Sequence, residues 1–275
     1  MMEILHPLSG SHSSQVDLVR IGQTFWVRKT ALPQEIANER AFVHAISKAG
    51  LIALQENTEE VLPPNQILLE YVQGSPVLGD HLTEQTAYAW GKMTRAMHAV
   101  KFAEATTMDV DGTKHTLDWG SFLEGLLRYG VKRQKKSEAL VPTSLLTDME
   151  KLLQTLVEQT PCEFSLLHGD YHSNNVLIRG EQLIPFDKAS DVFSGDALYD
   201  LGFVLLDFLE SFVTTQDPKE LMMYDAFCTG YGGLSEEQGR RIEQYARLLA
   251  FVRFPSPFQP NLLEVIRYLE EKDRC

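Results

Sequence analysis

The segment from His168 to Asp187 constrains its own geometry more than any other part of the chain. It reads His168-Gly169-Asp170-Tyr171-His172-Ser173-Asn174-Asn175, then an apolar run Val176–Ile178, a turn at Gly180-Glu181, and a second run Leu183–Phe186 ending at Asp187. Two such runs around a glycine-bearing turn predict a β-hairpin. Pairing about residues 180 and 181 sets Asn175 opposite Phe186 and Asn174 opposite Asp187, with Cα atoms about 4.5–5.5 Å apart. Asp170 lies five residues before Asn175, in the loop that feeds the first strand. Three oxygen-bearing side chains therefore converge on one open end of the hairpin.

Two hard-oxygen donors near one point suit Mg2+, which takes one or two carboxylates together with phosphate oxygens and water. An Asp that accepts the proton of a hydroxyl, with an Asn and an Asp on the metal, is an arrangement used for phosphoryl transfer. On that pattern Asp170 is the candidate base, and Asn175 and Asp187 are the candidate metal ligands. Two other readings compete. His168, Asp170 and His172 alternate as a clasp for zinc, and the segment also reads as a polar loop whose Asp and Asn cap backbone groups.

The N-terminal region repeats the hairpin argument. Val16–Ile21 and Thr24–Thr30 flank Gly22-Gln23, and pairing about Gly22 puts Lys29 beside Gln15. Lys29 then neighbours the loop Gly10–Ser14, whose Ser11 and Ser13 make a candidate phosphate cradle of small residues and backbone N–H groups. The spacing predicts a helix over Gln34–Ala49 with Ile36, Val43 and Ile46 on one stripe, and Glu39 falls on that stripe. A carboxylate facing a core needs a partner. Lys29 is the expected one and Arg28 the alternative, because Phe25, Val27 and Lys29 share a strand face. A further strand, Ile67–Val72, is the candidate hinge, with Glu70 and Val72 offering backbone groups to an adenine edge.

Strands and one helix fill the first 75 residues, and helices dominate the rest. We expect an α+β protein with an N-terminal nucleotide-binding part at 1–75 and a catalytic and acceptor-binding part at 76–275. Thr83 should cap a helix carrying Trp90, Met93, Met97 and Val100, and Ser194 or Asp196 should cap one carrying Leu201 to Phe212. Thirty-eight acidic and 25 basic residues leave a formal charge of -13. That excludes sequence-blind binding to nucleic acid or anionic membrane, which needs a basic face. It suits solubility, or a cationic substrate. Three scattered cysteines, the lack of a basic-then-apolar start, and the absence of any apolar run near the ~18 residues of a membrane span lead us to expect a soluble cytoplasmic protein.

These residues together resemble the aminoglycoside phosphotransferase and choline kinase family. The resemblance rests on His168-Gly169-Asp170 with Asn175, on Asp187, on Gly195-Asp196-Ala197-Leu198-Tyr199-Asp200-Leu201, and on Glu70-Tyr71-Val72-Gln73-Gly74 as the hinge. It implies a bilobal, protein-kinase-like fold, ATP and Mg2+ as cofactors, and a small-molecule hydroxyl as acceptor, with an amine-bearing or sugar-like molecule favoured. By that resemblance Asp170 is the base, Asn175 and Asp187 bind metal, and Asp200 (or Asp196) braces the catalytic loop. Pro185-Phe186-Asp187-Lys188 departs from the family's pattern, leaving Lys188 to pair with a phosphate or to face solvent. Only Lys188–Gly195 separate Asp187 from Asp196 and no A-P-E follows, which argues against a protein substrate. A nucleotide-binding but inactive module is the alternative reading. Trp119, Phe122, Tyr224, Tyr231 and Arg253 are further candidates for the acceptor pocket, each with a core or surface role as its alternative. Oligomeric state is left open.

Overall fold

The computed structural model describes residues 2–8, 14–137, 141–188, 190–256 and 261–272. Strands β1 (Met2–Pro7), β2 (Gln15–Ile21), β3 (Thr24–Thr30) and β4 (Gln66–Glu70) form an antiparallel sheet in that spatial order, with helix α1 (Pro33–Lys48) inserted before β4. Pro33 opens α1, where its missing N–H and fixed φ cost nothing. Ile36, Val43, Ile67 and Leu69 pack beneath the sheet with Leu54, and Ile184 joins them from a distant strand.

The β2–β3 register differs from expectation by one residue. Ile21 pairs with Thr24 across a two-residue turn, so Lys29 lies opposite Val16 rather than Gln15. β4 stops at Glu70, leaving Val72 outside the strand.

The second part begins with β5 (Ser75–Pro76) and α2 (Glu84–His98), capped as expected by Thr83 through the N–H of Thr86. β6 (Lys101–Phe102), β7 (Thr106–Met108), β8 (Lys114–Thr116), α3 (Trp119–Lys136) and α4 (Thr143–Glu158) follow. Then come β9 (Phe164–Leu166), β10 (Val176–Arg179), β11 (Gln182–Pro185), β12 (Val192–Gly195), α5 (Ala197–Thr215), α6 (Lys219–Tyr231), α7 (Glu236–Arg253) and α8 (Leu262–Lys272). β10 pairs with β11 and with β5, joining the start of this part to its hairpin. A second sheet of five short strands, in the order β6-β9-β12-β7-β8, lies among the helices. No periodicity marked those strands.

The larger core surrounds α5, whose residues from Leu198 to Leu206 are all buried. Asp196 is its N-cap, accepting from the N–H of Leu198. Among the described residues no helix is long and apolar enough to cross a membrane. The fold is thus α+β, a sheet-and-helix unit followed by a larger, mainly helical one.

Candidate active site

The hairpin register is the expected one. Val176 pairs with Pro185, and the N–H of Phe186 donates to the carbonyl of Asn175 at 3.0 Å. The loop before it is held from α5. The N–H groups of His168 and Gly169 each donate to the fully buried Asp200 carboxylate at 2.8 Å, and Ser173 N–H donates to Asp207 at 2.9 Å. Burial pushes the Asp200 carboxyl up, but the hydrogen bonds from His98 and the loop amide outweigh it and hold it below the usual range. Asp200, not Asp196, is therefore the brace; Asp196 instead takes the hydroxyl of Tyr245 at 2.7 Å. Gly169 has φ 78°, and a Cβ there would lie 2.4 Å from Ser190 Oγ, so the loop admits no side chain at this point.

Asp170 emerges from the braced loop with its side chain 28% exposed. One oxygen accepts from the Arg253 guanidinium, and the other lies 3.7 Å from His172 Nε2. Burial raises the Asp170 pKa; the charge of Arg253, then the neighbouring His172, overcome this and leave it well below the usual carboxylate range. Asn175 donates its amide nitrogen to the Asp170 carbonyl at 2.8 Å.

Lys29 from β3 pairs with both expected and unexpected partners. Its ammonium is 2.7 Å from Glu39 on α1 and 2.5 Å from Asp187 beyond β11. Arg28 goes elsewhere, to Asp17 at 2.7 Å. Burial opposes the Lys29 charge, yet the two carboxylates more than compensate and raise its pKa. Glu39 is also pushed up, by burial first, because Lys29 is shared and the Asp187 charge repels it. Asp187 adopts φ 58°, a left-handed conformation rare outside glycine that costs roughly 1 kcal/mol and needs such an anchor.

The donor set fits a small divalent cation. With its amide nitrogen on the Asp170 carbonyl, Asn175 turns its amide oxygen the other way, and Asp187 uses one carboxylate oxygen on Lys29. Hard oxygens in that number leave the remaining positions to phosphate and water, as Mg2+ prefers. Among the described residues no group of three or more His, Cys, Asp or Glu could hold a metal by itself. The zinc clasp is not assembled: the buried His168 ring lies against Phe42 and Tyr171 and bonds the Phe186 carbonyl at 2.8 Å through Nε2.

Lys188 departs from both expectations. It is fully buried and donates to the carbonyls of His168, Ser190 and Val192, at 3.0, 3.2 and 2.5 Å. Burial lowers its pKa to about 8, against the pull of Asp200 and Asp191. It does not face solvent, and its ammonium is engaged by those three carbonyls.

Glu70 places its N–H on the Gln55 carbonyl and its carboxylate on Arg179 and the Gln55 N–H. Val72 packs against the small core near Phe186. Ser11 and Ser13 lie outside the described residues.

The sequence profile of the phosphotransferase enzyme family APH matches residues 5–241. The chain belongs to that phosphotransferase family. No curated protein matches it. Solved phosphotransferase-like structures do, with the fold conserved over nearly the whole chain. A thermostable mutant of the aminoglycoside phosphotransferase APH(4)-Ia, in a ternary complex with ADP and hygromycin B, matches with TM-score 0.68 and 15% identity, over 98% of this chain and 91% of that one. A choline/ethanolamine kinase family protein from Mesorhizobium loti matches with TM-score 0.64 and 15% identity, over 98% and 87%. The amicoumacin kinase hAmiN, in complex with AMP-PNP, Ca2+ and Ami, matches with TM-score 0.63 and 14% identity, over 98% and 88%.

In this phosphotransferase two pairings had no local signal. Lys29 and Asp187 are 158 residues apart, and Arg253 and Asp170 are 83 apart. Of the other pocket candidates, Trp119 is core, bonded to Tyr245 at 3.0 Å. Tyr231 bonds His98 at 3.1 Å, while Phe122 and Tyr224 pack against the larger core. His98, which completes the Asp200 brace, is simply the buried last residue of α2.

Proposed function

We propose that the chain is an ATP- and Mg2+-dependent phosphotransferase that phosphorylates a hydroxyl of a small molecule such as an amino-alcohol, an aminoglycoside, a sugar or a related metabolite. The observation that carries this reading is the Lys29 ammonium held by Glu39 and Asp187, at the hairpin end where Asn175 bonds the Asp170 carbonyl. Residues 1–75 would then serve the nucleotide and 76–275 the chemistry and the acceptor, with Glu70 to Val72 as the hinge.

In this reading Lys29, oriented by Glu39, meets the nucleotide phosphates. Asn175 and Asp187 hold the metal through their oxygens. A bound Mg2+ supplies charge neutralisation for the transferred phosphoryl group. Asp170 takes the hydroxyl proton as the acceptor oxygen bonds to the terminal phosphorus and the nucleoside diphosphate departs. The second contribution of Asp170 is to aim the hydroxyl at the phosphorus. Nucleotides in the complexes of relatives, and Ca2+ in one of them, support a nucleotide and a divalent cation here.

The test is ATP turnover against amino-alcohols, aminoglycosides and sugars, with Asp170→Asn as control. We expect Asp170→Asn to lower kcat by roughly 10²–10⁴-fold while Mg2+-dependent stabilisation by ATP persists. Full turnover in Asp170→Asn would reject the base assignment. ATP binding indifferent to Mg2+, with no turnover of any acceptor, would favour the inactive module.

A further inference from the structure

The overall charge of -13 suits solubility or a cationic acceptor, but the charge nearest the reacting carboxylate is positive. Arg253 ends α7 and places its guanidinium on Asp170, with its other side over the Phe203 ring at 4.7 Å. Its position is built rather than incidental. On one side Gln134 of α3 donates to the Phe251 carbonyl at 2.9 Å, and on the other Arg133 donates to the Pro255 carbonyl at 2.9 Å. Gly130 completes the clamp, since a Cβ there would lie 2.9 Å from the Cα of Val252. The C-terminal end of a helix also favours a cation. Arg253 nevertheless remains 23% exposed, within reach of a ligand.

We propose that Arg253 reads an anionic group on the acceptor, so that the natural substrate is a hydroxylated organic anion, carrying a carboxylate or phosphate beside the reacting hydroxyl. This rests on the phosphotransferase reading above. An arriving anion gives the guanidinium a bidentate partner and releases an Asp170 oxygen for the hydroxyl. An acceptor with an ammonium at that place meets a fixed like charge at contact distance, where the distant acidic surface is screened.

The experiment compares kcat/KM for four small probes, glycerate, glycerol 3-phosphate, glycerol and 3-amino-1,2-propanediol, in the wild type, Arg253→Gln, Arg253→Lys and Arg253→Glu. One or both anionic probes should exceed the amine by roughly 100-fold in the wild type, and the better of the two identifies carboxylate or phosphate. The ratio should fall to a few-fold in Arg253→Gln, recover in part in Arg253→Lys and invert in Arg253→Glu. A wild-type preference for the amine or glycerol, or an unchanged ratio in Arg253→Gln, overturns the proposal. Should no probe be phosphorylated, NMR titration in the presence of AMP-PNP decides. Saturable binding of an anionic probe to the wild type but not to Arg253→Gln supports the proposal, and equal binding overturns it. Melting curves show whether each variant folds, with Arg253→Lys retaining the charge. Preferential turnover of the amine probe with Mg2+ and ATP would sink only the role of Arg253, whereas absence of Mg2+-dependent nucleotide binding would sink the kinase reading itself.

Discussion

Two cations of the candidate site, Lys29 and Arg253, each neutralise a carboxylate, but they do so in different solvents. Lys29 is 6% exposed and divides its charge between Glu39, 3% exposed, and Asp187, 32% exposed. Arg253 and Asp170 are 23% and 28% exposed. A desolvated pair belongs to the fold as much as to the site, because neither member tolerates loss of the other. A pair open to water is worth little to the fold and can exchange partners. Burial thus separates a cation that the fold itself depends on from one that can change partners at little cost to the fold.

The sharpest way to break this comparison is to remove each cation. Lys29→Met leaves Glu39 buried without its partner, and we expect about 3–5 kcal/mol of lost stability in urea unfolding. Lys29→Met with Glu39→Leu should recover most of it while turnover stays abolished. Arg253→Gln should cost less than about 1 kcal/mol. A comparable loss from both single variants would show that exposure does not sort them.

The same contrast explains what the sequence could reveal. Glu39 was legible because it interrupts an apolar stripe, and a buried carboxylate requires a cation within reach. Asn175 and Asp187 were legible because a short hairpin sets its register through its turn. The same device misplaced Lys29 by one residue, since a turn centred on Gly22 and one spanning Gly22-Gln23 differ by a single step. The strands of the second sheet have two to four residues each, too short for a period, and their partners lie far off in the chain. Lys188 looked like a surface charge because nothing local announces three buried carbonyls. Arg253 stood among several candidates, and only the packing of α3 against the end of α7 brings it to Asp170.

The fully buried ring of His168 is kept neutral. Burial lowers the pKa of His168 to about 4 from 6.5, with the Lys188 charge adding to that shift and Asp200 opposing it. Between those values the unfolded chain binds a proton that the folded one refuses. Proton uptake is thus greater on unfolding, and stability rises with pH across this window. Acidification from 6.5 to 4 should therefore remove up to about 3 kcal/mol. His168→Gln, which keeps a donor for the Phe186 carbonyl, should flatten that slope in urea titrations at pH 7 and 4.5. An unchanged slope would place the acid sensitivity in the carboxylates instead.

The smallest effect is expected at the most exposed of the three arginine and lysine pairs compared. Arg179, 40% exposed, pairs with Glu70 at 2.6 Å beside the candidate hinge. Its geometry is as short as that of Lys29 with Glu39, so distance alone predicts equal importance. Solvent predicts otherwise, because water screens the pair and takes over the charge left behind. Glu70 also keeps the Gln55 N–H at 3.1 Å when the arginine is gone. Arg179→Ala should accordingly lower stability by less than about 1 kcal/mol, with ATP-induced thermal stabilisation unchanged. A loss above about 2 kcal/mol would mean that proximity, not burial, decides which ion pairs this fold depends on, and the assignment of Arg253 to the ligand would lose its energetic basis.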